Sequence, residues 1–469
     1  MNLKSFPLSA TRKALVPVVA MTLVCGTAAP AMAQSDPGSL DPTSIGNIGS
    51  ITKMGGSVDP SSAAAGSATV GSTGSTGTHS LEGLGTLPPI GTGSQNTSAT
   101  PPIGMEAEPI ETTKVRNIEI GDPMVAGGDP RFERWWIESK SMNRILPVEI
   151  WRASSDAPAP MLYLLDGVDS PSPSGWLLPG HIQDVFADEH VTLVMPTRAD
   201  GSLHADWQHD DPVLSRNKWQ TFLTQELPPL LESGEHAIPF NGKRGMAGLS
   251  MGAASAVTTA ERAPSGMYQA VGAIAGCYTA RDDLGFLLAK IVAETRGGNI
   301  ANMWGQRNSP AYAENDGLLH AEKLRGKALY FATATGMPDA NEWQRNDNDL
   351  LKFSQGAGLE IATHACTVDM DHRLKELNIP ARVDYLPTGM HNWDNFSRFL
   401  APMRDNLMPA LRWPGAFTSS PKLSRRCRPP LSPSLPGAAQ PRSCGGERRR
   451  IRGHIAEGRM ERVDGGLIR

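Results

Sequence analysis

Ser250 lies in Gly248-Leu249-Ser250-Met251-Gly252, with a histidine at 391 and acidic side chains at 339 and 360 further along the chain. These are the residues best suited to attack a carbonyl. Serine is a poor nucleophile at neutral pH and needs a base, and the base needs an acid to orient it. A GxSxG pattern recurs by chance in a chain with 48 glycines, so its surroundings decide. An apolar run, RGMAGLS from Arg244, precedes the serine, and a helix-like run, MGAASAVTTAERA, follows it. That context predicts a nucleophile elbow: the small flanking residues permit a sharp turn, the turn exposes the hydroxyl, and the helix N-terminus favours developing negative charge.

In an elbow architecture the acid, and then the histidine, follow the serine in the chain. His391 comes after the run ARVDYLPTGM, on a strand-end loop that opens the last helical stretch. Two residues compete for the acid. Asp339 follows the run ALYFATATG, which ends at Gly336, and pattern alone favours it slightly over Glu360 in GAGLEIATHAC. An oxyanion needs two backbone donors: the amide of Met251 is the first, and Val168, in the loop after MLYLLDG, the second, with Asp166 and Gly167 shaping that turn. The remaining histidines show no HExxH or other ligand spacing, so neither a metal nor another cofactor is expected.

The elements that must carry these residues are visible as hydrophobic patterns. Short apolar runs starting at Met161, Val191, Arg244, Ala270, Ala328 and Ala381 read as buried strands. Between them, Trp219, Phe222, Leu223, Leu230 and Leu231 share one helical face; near the end, Trp393, Phe396, Phe399, Leu400, Met403 and Leu407 share another. Alternating β and α segments predict an α/β class, a mostly parallel sheet covered by helices on both faces.

The 469 residues are unevenly composed. Lys4, Arg12 and Lys13, an apolar run from Ala14 to Val24 and the Ala31-Met32-Ala33 site make residues 1–33 a signal peptide, so export to the medium or the cell envelope is expected. Cys25 is no lipid anchor by this reading, because Thr22, Leu23 and Val24 are not the small residues required. No later stretch is apolar for long enough to span a membrane. Residues 34–113, rich in Gly, Ser, Thr and Pro, read as a disordered linker; 114–413 as the globular domain; 414–469 as a basic, disordered tail. A net charge of −4 offers no field for nucleic acid. Cys25 leaves with the signal and Cys427 and Cys444 lie in the tail, so in an oxidising compartment Cys277 and Cys366 are expected to pair, the alternative being two separate buried thiols.

Taken together, the blocks SMNRILPVEIW from Ser141, YLLDG from Tyr163, GW at Gly175, VMP at Val194, DW at Asp206, KWQTFLTQELP from Lys218, GLSMG from Gly248 and HNW from His391 resemble the secreted mycolyltransferases of the antigen 85 type and their corynebacterial relatives. The resemblance implies an α/β-hydrolase fold and a serine that takes a mycolyl group from trehalose monomycolate to a sugar hydroxyl, on trehalose monomycolate or on cell-wall arabinogalactan. It also implies that the acid is Glu360, in the LE element ahead of the histidine strand, and that Asp166 and Trp393 are sugar contacts. Cys366, six residues after Glu360, would then let a bridge to Cys277 hold the acid loop. This chain departs from the family after LLDG, where Asp169 and prolines replace a trehalose-holding arginine. Two rivals keep the same scaffold: a secreted carboxylesterase or lipase that ends with water, and a non-catalytic envelope-binding protein.

Overall fold

The structure, a computed structural model, describes residues 103–345 and 348–412. The expected signal peptide and basic tail, and most of the expected linker, lie outside the described residues. Nine strands form one sheet: β1 Lys114–Ile120, β2 Phe132–Ser139, β3 Arg144–Trp151, β4 Ala159–Leu165, β5 Thr192–Pro196, β6 Phe240–Leu249, β7 Ala270–Ile274, β8 Ala328–Ala334 and β9 Arg382–Leu386. Their order is β1-β2-β3-β5-β4-β6-β7-β8-β9. The pairs β1–β2, β2–β3 and β3–β5 are antiparallel, and every pair from β5–β4 across to β9 is parallel.

Every residue of β4, β5 and β7 is buried, as expected of parallel strands covered on both sides. Their alternating side chains feed two cores. Met161, Tyr163 and Leu165 of β4 join Val271 and Phe331 against α1 (Met251–Arg262) and the far end of the long helix α3 (Leu350–Glu376). Leu162 and Leu164 join Ile274 and Tyr330 against Phe396, Phe399, Leu400 and Met403 of α4 (Trp393–Leu411). A further helix, α2 (Asp283–Glu294), lies outside these layers and packs with Trp304 and Tyr312 in a smaller cluster.

All six expected strands are present, but the antiparallel edge β1–β3 was not expected. Pro147 lies inside β3, where proline argues against a strand, yet the register with β2 runs unbroken through it. The domain also starts before the expected boundary at 114. Ile110 N–H donates to Asn143 Oδ1 at 2.7 Å and Arg144 reaches the Ile103 carbonyl at 3.3 Å, so the last residues given to the linker lie along the sheet. GAGLEIATHAC, expected to hold the acid in a loop, is the middle of α3. The stretch after Trp219 is helical as expected, with a π-helical turn over Phe222–Glu226.

Candidate active site

Ser250 sits between the end of β6 and the start of α1 with φ 53°, a value that non-glycine residues rarely adopt. Its amide donates to the Ile274 carbonyl at 2.9 Å, which fixes the turn against β7. The flanking glycines are required by distance. A Cβ on Gly248 would stand 2.0 Å from the Gly252 carbonyl oxygen, and one on Gly252 would stand 2.2 Å from that of Leu165. An alanine at either position would drive α1 away from the sheet.

His391 follows β9, and its amide donates to the Gly356 carbonyl in α3 at 3.0 Å. Its Nε2 is 2.8 Å from Ser250 Oγ and its Nδ1 is 2.9 Å from Glu360 Oε2. Glu360 is fully buried, and its other oxygen, Oε1, accepts from Ala334 N–H at 2.7 Å, Thr333 Oγ1 at 3.0 Å and Asn395 Nδ2 at 3.3 Å. Such donors offset the cost of burying a carboxylate charge. With both ring nitrogens of His391 occupied, none remains for Asp339. That residue lies in the loop after β8, where its Oδ1 accepts from Asn341 N–H at 2.8 Å, so the structure brings Glu360, and not Asp339, to His391. Glu360, the carboxylate that reaches His391, lies mid-helix and not at a strand end, where the slight pattern preference for Asp339 looked for the acid. Thr333 and Asn395 were not singled out from the sequence; a strand-end threonine and a first-turn asparagine carry no distinctive signal.

Val168 and Met251 flank the serine from two sides. Gly167 is so close that a Cβ on it would lie 3.5 Å from Ser250 Cβ. Among the described residues no group accepts a hydrogen bond from the Val168 or Met251 amide. Asp166 is buried and its Oδ2 accepts from Ser174 Oγ at 2.7 Å; burial, with the nearby Glu149 charge adding to it, pushes its carboxyl up to about 8. Trp393 is packed edge-on to both Trp176 and Phe396, with ring centroids 5.9 Å apart in each pair, and Gly175 leaves it room. Asp169, in the segment after β4, pairs with Arg296.

Two concavities meet at the serine. One, with about 720 Å³ of empty space, runs past Met251, Leu288, Ile291, Trp304 and Leu359 and is mostly apolar. The other, about 340 Å³, is bounded by Asp166, Val168, Asp169, Ser170 and Trp393. Both reach Ser250 and His391. Cys277, on the wall of the larger cleft, is disulfide-bonded to Cys366, so the bridge ties the segment after β7 to a helix rather than to a loop. No helix among the described residues is long and apolar enough to cross a membrane.

Residues 139–407, more than half of the chain, match the family model described as putative esterase. The diacylglycerol acyltransferase/mycolyltransferase Ag85A of Mycobacterium tuberculosis is 33% identical over 310 residues, which cover 62% of this chain and 86% of that protein. The Ag85B protein of the same description from Mycobacterium leprae is 26% identical over 284 residues, covering 59% and 83%. Among solved structures, Mycobacterium tuberculosis MPT51 (FbpC1) aligns at 20% identity with a TM-score of 0.49, covering 60% of this chain and 99% of that one. By the family match and the Ag85A identity, this chain belongs to the antigen 85-type branch of the esterase superfamily, serine hydrolases of acyltransferase or esterase chemistry with the α/β-hydrolase fold.

Proposed function

We propose that the protein is a mycolyltransferase in which Ser250, His391 and Glu360 form the triad and the mycolyl group of trehalose monomycolate passes to a sugar hydroxyl. The observation that carries this reading is the hydrogen-bonded line from Ser250 Oγ through His391 to Glu360, set between a large apolar cleft and a smaller cavity with Asp166, Asp169 and Ser170 on its wall. Ser250 Oγ attacks the ester carbonyl as its proton moves to His391 Nε2, and the Glu360 charge stabilises the imidazolium. The amides of Met251 and Val168 hold the oxyanion. Collapse of the adduct breaks the bond to the trehalose oxygen, which takes the proton from His391 and leaves.

The acyl chain stays in the apolar cleft, bonded to Ser250. A second sugar hydroxyl, on trehalose monomycolate or on arabinogalactan, gives its proton to His391 and attacks the acyl carbonyl, and the adduct collapses to release Ser250, whose Oγ takes that proton back. Asp166 contacts the sugar in the small cavity, with Trp393 as part of its wall. Residues 1–33 direct export, and the site of action is the cell envelope.

The test incubates the purified protein and a Ser250→Ala variant with trehalose monomycolate. Free trehalose and trehalose dimycolate from the wild type, and neither from the variant, are the expected products. Free mycolic acid without dimycolate would turn the reading to a hydrolytic esterase. No product from either protein would leave a binding role.

A further inference from the structure

The loop that follows β5, Thr197 to His204, runs beside the candidate site in a costly conformation. Arg198, Gly201, Leu203 and His204 have φ of 64°, 60°, 52° and 45°. Only glycine enters that region freely, and each of the three other residues costs on the order of 1 kcal/mol there. Contacts must therefore hold the loop, and they fall on the residues around Ser250. Gly201 N–H donates to the Val168 carbonyl at 3.0 Å and Arg198 N–H to that of Ser170 at 2.8 Å. Leu203 N–H points at Met251 Sδ, 3.3 Å away. A side chain on Gly201 would meet Arg296 Cβ at 2.9 Å, so the loop is also backed from outside.

Ser255, one turn into α1, joins the loop to the helix. Its Oγ is 2.7 Å from the Leu203 carbonyl and 2.8 Å from the Met251 carbonyl. The buried ring of His204 brings Nδ1 to within 3.2 Å of the same oxygen. A hydroxyl has one hydrogen to give, and two carbonyls already compete for that of Ser255. The contact with His204 is therefore one in which Ser255 Oγ accepts and Nδ1 carries the proton. Burial drives His204 down to about 3, so the ring is neutral and Nε2 is a bare acceptor. That atom is buried and has no hydrogen-bond partner among the described residues. Leaving a buried acceptor unmet costs roughly 1–3 kcal/mol. An apolar side chain against the Trp219 ring, 5.7 Å away, would avoid that cost. What such a side chain would lack is the donor to Ser255.

We propose that His204 is a positioning residue for the oxyanion site: its Nδ1–H fixes Ser255, Ser255 ties Leu203 to the first turn of α1, and the anchored loop sets the Met251 and Val168 amides. The inference rests on the acyl-transfer reading above. It assigns His204 no contact with substrate. Its effect belongs to the tetrahedral state, where the oxyanion exists, and not to binding of the ground-state ester.

The experiment uses the full chain and its His204→Leu, His204→Asn, Ser255→Ala and Ser250→Ala variants, with a p-nitrophenyl butyrate assay and an aliphatic trifluoromethyl ketone as inhibitor. Ser250 Oγ adds to that ketone, the carbonyl π bond becomes an oxyanion, and the serine proton moves to His391. For His204→Leu, kcat falls about 10- to 100-fold with KM within about twofold, and the ketone weakens by a similar factor. Asn, whose side-chain amide can donate near the position of Nδ1, restores kcat to within about threefold of wild type. A folded His204→Leu with wild-type kcat overturns the inference, as does a loss that Asn does not restore and the ketone does not follow. If His204→Leu does not fold, Ser255→Ala is judged by the same kcat, KM and ketone readings. Turnover retained in Ser250→Ala overturns the acyl-enzyme reading and this inference with it, whereas retention confined to the His204 and Ser255 variants overturns this inference alone.

Discussion

Glu360 occupies a position that a carboxylate can fill and an amide cannot. Its Oε1 takes three donors and its Oε2 faces His391 Nδ1 at 2.9 Å. In Glu360→Gln one of the two atoms becomes an NH₂ group. Placed toward His391, it would meet Nδ1–H or force the other tautomer, which leaves Nε2 unable to take the serine proton. Under the proposed mechanism, kcat of Glu360→Gln falls roughly 10³- to 10⁴-fold with little change in KM. Asp339→Asn stays within about twofold, because that side chain closes a local turn outside the line. Steady-state kinetics of the two variants decide between the acids, and comparable losses in both would remove Glu360 from its proposed role.

At the scale of elements, α3 brings Glu360 under the ends of the strands, and the bridge from Cys277 to Cys366 fastens that helix to the segment after β7. The bridge closes 89 residues of chain, so opening it by Cys277→Ser with Cys366→Ser lowers the melting temperature by roughly 5–10 °C. Because α3 is also packed through Leu359, Ala362 and Met370, kcat stays within about threefold; calorimetry beside the ester assay checks both. Most of the parallel strands were legible because burial on both faces writes itself as apolar runs, whereas β9, with Arg382 and Tyr385 exposed, reads as a shorter mixed run; Ser250 and His391 were legible because they follow such runs. β2 and β3 were not, since a half-exposed edge mixes Glu133, Arg134 and Trp136 with apolar residues and Pro147 argues against a strand. The helical setting of Glu360 was hidden for a different reason. Gly356, Gly358, Thr363 and Thr367 lower the helix propensity of a segment that tertiary packing nevertheless holds in one helix. The restraint on the loop before His204 depends on contacts more than 45 residues apart in the chain, between Leu203 and Met251 and between His204 and Ser255, which no local pattern carries.

For the molecule as a whole, what matters is that the two concavities at Ser250 share only that residue and His391 among their linings. Under the proposed mechanism the acyl chain and the sugar are housed separately, and the sugar that departs and the sugar that arrives use the same small space in turn. The rate law that follows is ping-pong. Double-reciprocal plots at several fixed acceptor concentrations are parallel, and a high concentration of a free sugar acceptor inhibits competitively against the donor, because it occupies the unacylated enzyme where the donor's own sugar must sit. Intersecting lines would mean that both sugars are bound together, and would overturn the shared use of the smaller cavity.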